Sequence, residues 1–155
     1  LTDKFDTLDQ SQRKTNILIH GIPENPTESA ADCVVDLIKS KLSVDIESRD
    51  IIHARRVGVR QLDGIRKSTA GDKGLSQVQM DKLKLVPKSR PMLVSFVRYD
   101  TKANVYANKR KLRGSNLLIT EDLSQQRRAL YKAAVDVLGI RNVWTLNGLV
   151  KIKYR

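Results

Sequence analysis

Four clusters of cations mark the second two-thirds of the chain: Arg55-Arg56, Lys109-Arg110-Lys111 with Arg113, Arg127-Arg128, and Lys151 with Lys153 and Arg155. Guanidinium and ammonium groups in such number suit one chemistry above others, the neutralisation of a polyanion's phosphates. Any single cluster reads as a solvated face. Four of them, with only seven acids after residue 50, point to a basic groove. Arg127 and Arg128 open a helix, where cations oppose the dipole. That local cost suggests a use, the gripping of phosphates beside the free N–H groups of the first turn. Trp144, the chain's one tryptophan, has two readings. It anchors a hairpin in a core, or it is a half-exposed ring on which a base stacks. Whole or partial burial is the expectation.

Catalytic chemistry finds no comparable support. The acids form no pair suited to acid–base work, and Ser, Cys and His form no nucleophile set. Lys73-Gly74-Leu75-Ser76 has the wrong order for a phosphate-cradling loop. His20 and His53 fall in strand patterns and read as structural. With these two histidines and Cys33 far apart, a structural zinc site is not expected. The expectation is therefore a protein without enzymatic activity, cofactor or metal.

Charge is unevenly placed. Residues 1–50 hold 6 Lys+Arg against 10 Asp+Glu, net −4, and residues 51–155 hold 23 against 7, net +16. Such asymmetry favours nucleic acid or an anionic surface as partner. No segment approaches the ~20 apolar residues of a membrane span, so a membrane partner is not expected. A single cysteine precludes an internal disulfide and fits a reducing compartment. The length of 155 residues suffices for one good core or two small ones. The chain starts at Leu1 and reads as a piece of something longer.

The elements that must position these groups follow from periodicity. Leu1, Phe5 and Leu8 are spaced like a heptad seam, so residues 1–12 read either as a helical or disordered leader or as the end of a coiled coil. Asn16–Ile22 is a short apolar run closed by Pro23, a buried strand. A helix is predicted from about Ala30 to Leu42, and a second strand over Ile51–Val57. Residues 58–90 lose all period and read as a long loop with a helical turn near Ser76–Leu83. Met92–Tyr99 is the clearest strand, with Met92, Val94 and Phe96 pointing into the core. A helix capped at Asp100 or Thr101 runs to Leu112, and Ser115–Thr120 forms a fourth strand. Ser124 caps a helix over Gln125–Leu138 whose buried stripe is Leu130, Ala134, Val137 and Leu138. Asn147-Gly148 turns a terminal hairpin.

The predicted fold class is α+β. A split βαβ-βαβ antiparallel sheet of the RNA-recognition-motif type precedes a small helix-plus-hairpin domain. The expected divisions are 1–12 (leader), 13–122 (sheet domain, with 59–89 as an insertion) and 123–155. RNA-recognition motifs stack bases on sheet aromatics. Here Phe96-Val97-Arg98-Tyr99 echoes the end of the third-strand motif, but its Gly-aromatic-Gly part is missing and the first strand has no aromatic. Phosphate contacts are then expected to dominate.

Glu121–Ser124, the Arg127-Arg128 helix start and Val143-Trp144-Thr145 with Asn147-Gly148 together resemble the C-terminal domain of the baculovirus few-polyhedra (FP) protein and its insect relatives. These in turn are similar to the first-open-reading-frame protein of LINE-type, non-LTR retrotransposons. Arg13–Glu24, His53–Gly58, Arg90–Phe96 and Lys111–Gly114 fit the same pattern, so the resemblance spans residues 11–155 except the 59–89 insertion. It implies upstream coiled coils that assemble trimers, and a cleft between the two domains that binds single-stranded RNA, with DNA as a second ligand. It implies coating of a transcript, chaperone activity and a mainly cytoplasmic ribonucleoprotein with the nucleus as a second location. Carried onto this sequence, the cleft would include Arg55, Arg56, Arg127 and Arg128. The resemblance leaves open a mobile element, a virus or a domesticated host gene. The rival reading is an adaptor whose bare sheet face docks a protein.

Overall fold

The computed structural model describes residues 2–58 and 89–154; the loop and helical turn predicted between them lie outside the described residues. Helix α1 (Thr2–Gln12) leads into β1 (Asn16–His20). Gly21 turns the chain with φ +94°, and a Cβ there would sit 2.1 Å from the Asn116 carbonyl oxygen, so no other residue fits without backbone movement. Helix α2 (Ala30–Leu37) widens into one further turn, Ile38–Leu42, and stops at the left-handed Ser43. A 3-10 turn, Ser48–Asp50, closed by reciprocal bonds between Glu47 and Asp50, feeds β2 (Ile51–Arg56). Strand β3 (Met92–Phe96) follows, then α3 (Tyr99–Ala107), which tightens into a 3-10 turn at Asn108–Leu112. Strand β4 (Leu118–Glu121), α4 (Gln125–Leu138) and the hairpin β5 (Val143–Leu146) and β6 (Leu149–Ile152) complete the order.

The first four strands form one antiparallel sheet in the order β2-β3-β1-β4. The alternation read from the sequence sets its faces. Ile17, Ile19, Met92, Val94, Phe96 and Ile119 are buried, and they join Val34, Ile38 and Leu42 of the α2 segment and Val105 of α3 in one core. Both helices therefore cover the same face. The other face carries Leu18, His20, Leu93, Ser95 and Thr120, with Arg55 paired opposite Leu93. Among the described residues that face of the strands carries no Phe, Tyr or Trp.

Three sequence expectations shift. Helix α3 starts at Tyr99 after the N-cap Arg98, earlier than Asp100 or Thr101 suggested. The fourth strand begins at Leu118 and runs through Glu121. The stripe on α4 is rotated. Arg127, Tyr131, Ala134 and Val135 are the partly covered positions, while Leu130 and Val137 are 57% and 81% exposed. Apolar residues lie on more than one side of this helix, so its period alone did not fix the inward face. The register of α4 is set at its first turn, by long-range polar contacts.

Candidate nucleic-acid interface

Those contacts begin with a cap. Ser124 Oγ accepts the Arg127 N–H and itself donates to Asp6 of α1. Asp6 then receives Arg127 Nε at 2.9 Å, and the other arm of Arg127 donates to the Gly148 carbonyl at 2.9 Å. One guanidinium thus joins the leader helix, the start of α4 and the hairpin tip. Hydrogen bonds from Ser124 and Arg127 hold the Asp6 carboxyl below the usual carboxylate range.

The stretch between β4 and α4 is gripped from α1 as well. Gln10 is buried; its Nε2 donates to Asp122 O at 3.0 Å and its Oε1 accepts Ser124 N at 2.8 Å. Arg13 pairs with Asp122 at 2.9 Å, and Asn16 Nδ2 donates to the same carboxylate at 3.0 Å.

Glu121 supplies the third attachment. Lys102 Nζ lies 3.0 Å from its Oε1, and the two side chains are 3% and 2% exposed. Both carboxylate oxygens also receive the hairpin turn, Asn147 N at 2.8 Å and Gly148 N at 2.9 Å. Asn147 and Gly148 have φ of 52° and 74°, the left-handed pair that an Asn-Gly two-residue turn adopts. Burial pushes the Glu121 carboxyl up, but the Gly148 N–H and the Lys102 ammonium outweigh it and the net displacement is downward. Tyr106 adds a bond from its hydroxyl to Thr145 O at 2.9 Å, and the Tyr99 hydroxyl donates to the Asn147 amide oxygen.

Where these attachments meet, a shallow cleft opens between α1, the start of α3, the start of α4 and the hairpin tip. Thr7, Gln10, Ser11, Lys14, Tyr99, Arg127 and Asn147 line it. Lys14 and Tyr99 were not assigned to the site from the sequence; Tyr99 is placed there by its bond to Asn147, 48 residues away.

The cations named from sequence divide into engaged and exposed groups, except Arg155, which lies outside the described residues. Arg56 cannot serve as a cleft residue. Its side chain is 7% exposed, and its N–H groups go to both Glu28 oxygens and to the carbonyls of Ile22, Pro23 and Arg90. The five donors of a guanidinium are all used, so none is left for a phosphate. Glu28 is held below the usual carboxylate range by the same contact. Arg127, expected to grip phosphates, is instead engaged by Asp6 and the Gly148 carbonyl.

Lys109 lies 3.7 Å over the Tyr106 ring, and Lys111 donates to Leu42 O at 3.0 Å while remaining exposed. Arg55, Arg110, Arg113, Arg128, Lys151 and Lys153 are exposed and form no ion pair among the described residues. Trp144 is half exposed and lies outside the buried cluster.

Among the described residues no three His, Cys, Asp or Glu side chains gather in a way that could hold a metal ion. No described helix is long and apolar enough to cross a membrane. No protein-family model and no curated protein matches the chain.

Proposed function

We propose that this chain is a single-stranded nucleic-acid-binding module, with RNA as the principal ligand, that packages and remodels its ligand through phosphate contacts and carries no catalytic activity. One observation carries the reading. Six exposed cations, Arg55, Arg110, Arg113, Arg128, Lys151 and Lys153, stand without carboxylate partners among the described residues. In a chain of net charge +12, unpaired cations on a strongly asymmetric sequence are the footprint of a polyanion partner.

The sheet order β2-β3-β1-β4 and the strand–helix–strand repeat support an RNA-recognition-motif-like arrangement over residues 13–122, with 123–155 as a small second domain. The missing sheet aromatics argue that affinity is dominated by backbone contacts. The resemblance to the FP and LINE-type first-open-reading-frame proteins adds an assembly reading. Phe5 and Leu8 are exposed on α1 and fit the end of a coiled coil that would make trimers and multiply weak sites. A ribonucleoprotein in the cytoplasm or nucleus is the corresponding setting. The test is a comparison of single-stranded RNA affinity for the native chain and for a variant with Arg128→Ala, Lys151→Ala and Lys153→Ala. A loss of about tenfold or more at unchanged stability supports the reading, since each phosphate contact adds to the salt-sensitive part of the affinity.

A second reading has its own observation. Leu130, Val137 and Ile140 are exposed on and just after α4 and could meet a protein partner, making the chain an adaptor with incidental RNA affinity. RNA binding unaffected by the triple change would favour it.

A further inference from the structure

The register of the terminal hairpin places Trp144 directly opposite Lys151 and Leu146 opposite Leu149. Opposed residues of an antiparallel pair share a face. The face of Val143 and Thr145 is turned inward, since Val143 is buried and the Thr145 carbonyl and hydroxyl contact Tyr106. Trp144, Leu146 and Leu149 therefore form the outer face, at 45%, 48% and 51% exposure. An indole and two leucines, half exposed on one face beside Lys151, make an apolar patch edged by a cation.

We infer that the outer face of the hairpin is a stacking platform for an unpaired nucleobase, with Trp144 as the ring and Lys151 as the cation for the adjoining phosphate. This rests on the nucleic-acid reading above and adds the base contact that the sheet lacks. Charge selects the occupant. No acid follows Asp136 in the sequence, while Lys151, opposite Trp144, and Lys153, two residues on, are exposed. A flat π surface beside an ammonium matches a base beside its phosphate, and such stacking tolerates any base. Four side chains are also far fewer than the about 20–30 residues a side of a standard protein interface. A duplex hides its base faces, so the ligand is single-stranded.

Because Trp144 is the only tryptophan, its fluorescence reports the site directly. The native chain is titrated with a mixed-sequence single-stranded RNA, its duplex, an abasic single strand of equal length and polyglutamate. Binding is read separately by anisotropy of an end label. The expected result is binding of the single strand with strong quenching, and binding of duplex and abasic strand without it. Trp144→Leu should weaken single-stranded RNA about tenfold and leave the abasic strand unchanged, while Trp144→Phe retains most of the affinity. Circular dichroism checks that both fold; if Trp144→Leu does not, the native quenching and the Phe variant decide. Binding of RNA without quenching, together with native affinity in Trp144→Leu, overturns the platform and leaves the nucleic-acid reading standing. Absence of binding to RNA and abasic strand alike overturns both. Quenching by polyglutamate equal to that by RNA also overturns the platform, because the face would then take an acidic peptide.

Discussion

Glu121 and Lys102 meet at 3.0 Å in near-complete isolation from solvent, and the same carboxylate closes over the backbone of the hairpin turn. A buried ion pair is often no more stabilising than a good apolar contact, because both charges lose their hydration. This one is further satisfied by two backbone donors, and so fixes a position: it clamps the tip of β5 and β6 to the end of β4.

Glu121→Gln should therefore be among the most destabilising single changes in the chain. It leaves the Lys102 ammonium buried without a counter-charge, a loss of ~3–5 kcal/mol. Replacing both residues, with Lys102→Met and Glu121→Gln, should cost less than the sum of the two single changes. Urea denaturation of the four proteins in a double-mutant cycle measures it, and additive costs would show that the pair is not coupled.

Arg127 and Arg128, adjacent in sequence, should separate cleanly by experiment. Arg127→Ala removes bonds to Asp6 and Gly148 and is expected to cost about 2–3 kcal/mol of stability. Arg128→Ala, exposed and bonded only to the Leu123 carbonyl, should change stability by under about 0.5 kcal/mol and lower RNA affinity instead. Thermal melts and RNA titrations on both variants check this.

Acid should loosen the junction and, separately, the Glu28–Arg56 contact. Asp6, Glu28 and Glu121 are all held below their ordinary carboxyl values. A carboxyl whose folded value is depressed contributes stability that is complete above its unfolded value and is lost as pH falls through the folded one. Burial also holds the His20 imidazole below its ordinary value, so a small loss is expected as pH falls through about 6.5, and the carboxyls add the main, progressive fall below about pH 4. Denaturant midpoints measured across that range give the curve; stability unchanged below about pH 4 would count against the carboxyl contacts.

Residues 60–88 should be replaceable by a short Gly/Ser linker. The flanks are already joined, with Val57 N donating to Pro91 O at 3.0 Å beside the β2–β3 ladder. Loop closure depends only weakly on length. A soluble product with native circular dichroism is expected, and an insoluble one would count against it.

How far the sequence could be read follows the range of the forces involved. The core alternation of Met92, Val94 and Phe96, the Ser124 cap and the Asn-Gly turn are local signals, and each was visible. The inward face of α4 was not, because it depends on packing against the hairpin and on the bond from Arg127 to Asp6, 121 residues away. Arg56 looked like half of a basic pair, but Glu28 and three carbonyls from distant segments consume it. Charge counts locate cations; only tertiary contacts tell which remain for a ligand.

The central claim is that exposed, unpaired cations bind single-stranded nucleic acid through its phosphates. Affinity for a single-stranded RNA, measured over a range of salt concentrations, tests it most directly. With six such contacts, log K against log salt should fall with a slope of about −4, since each single-strand contact contributes about −0.7. A slope near zero, or no measurable binding at low salt, would contradict the account.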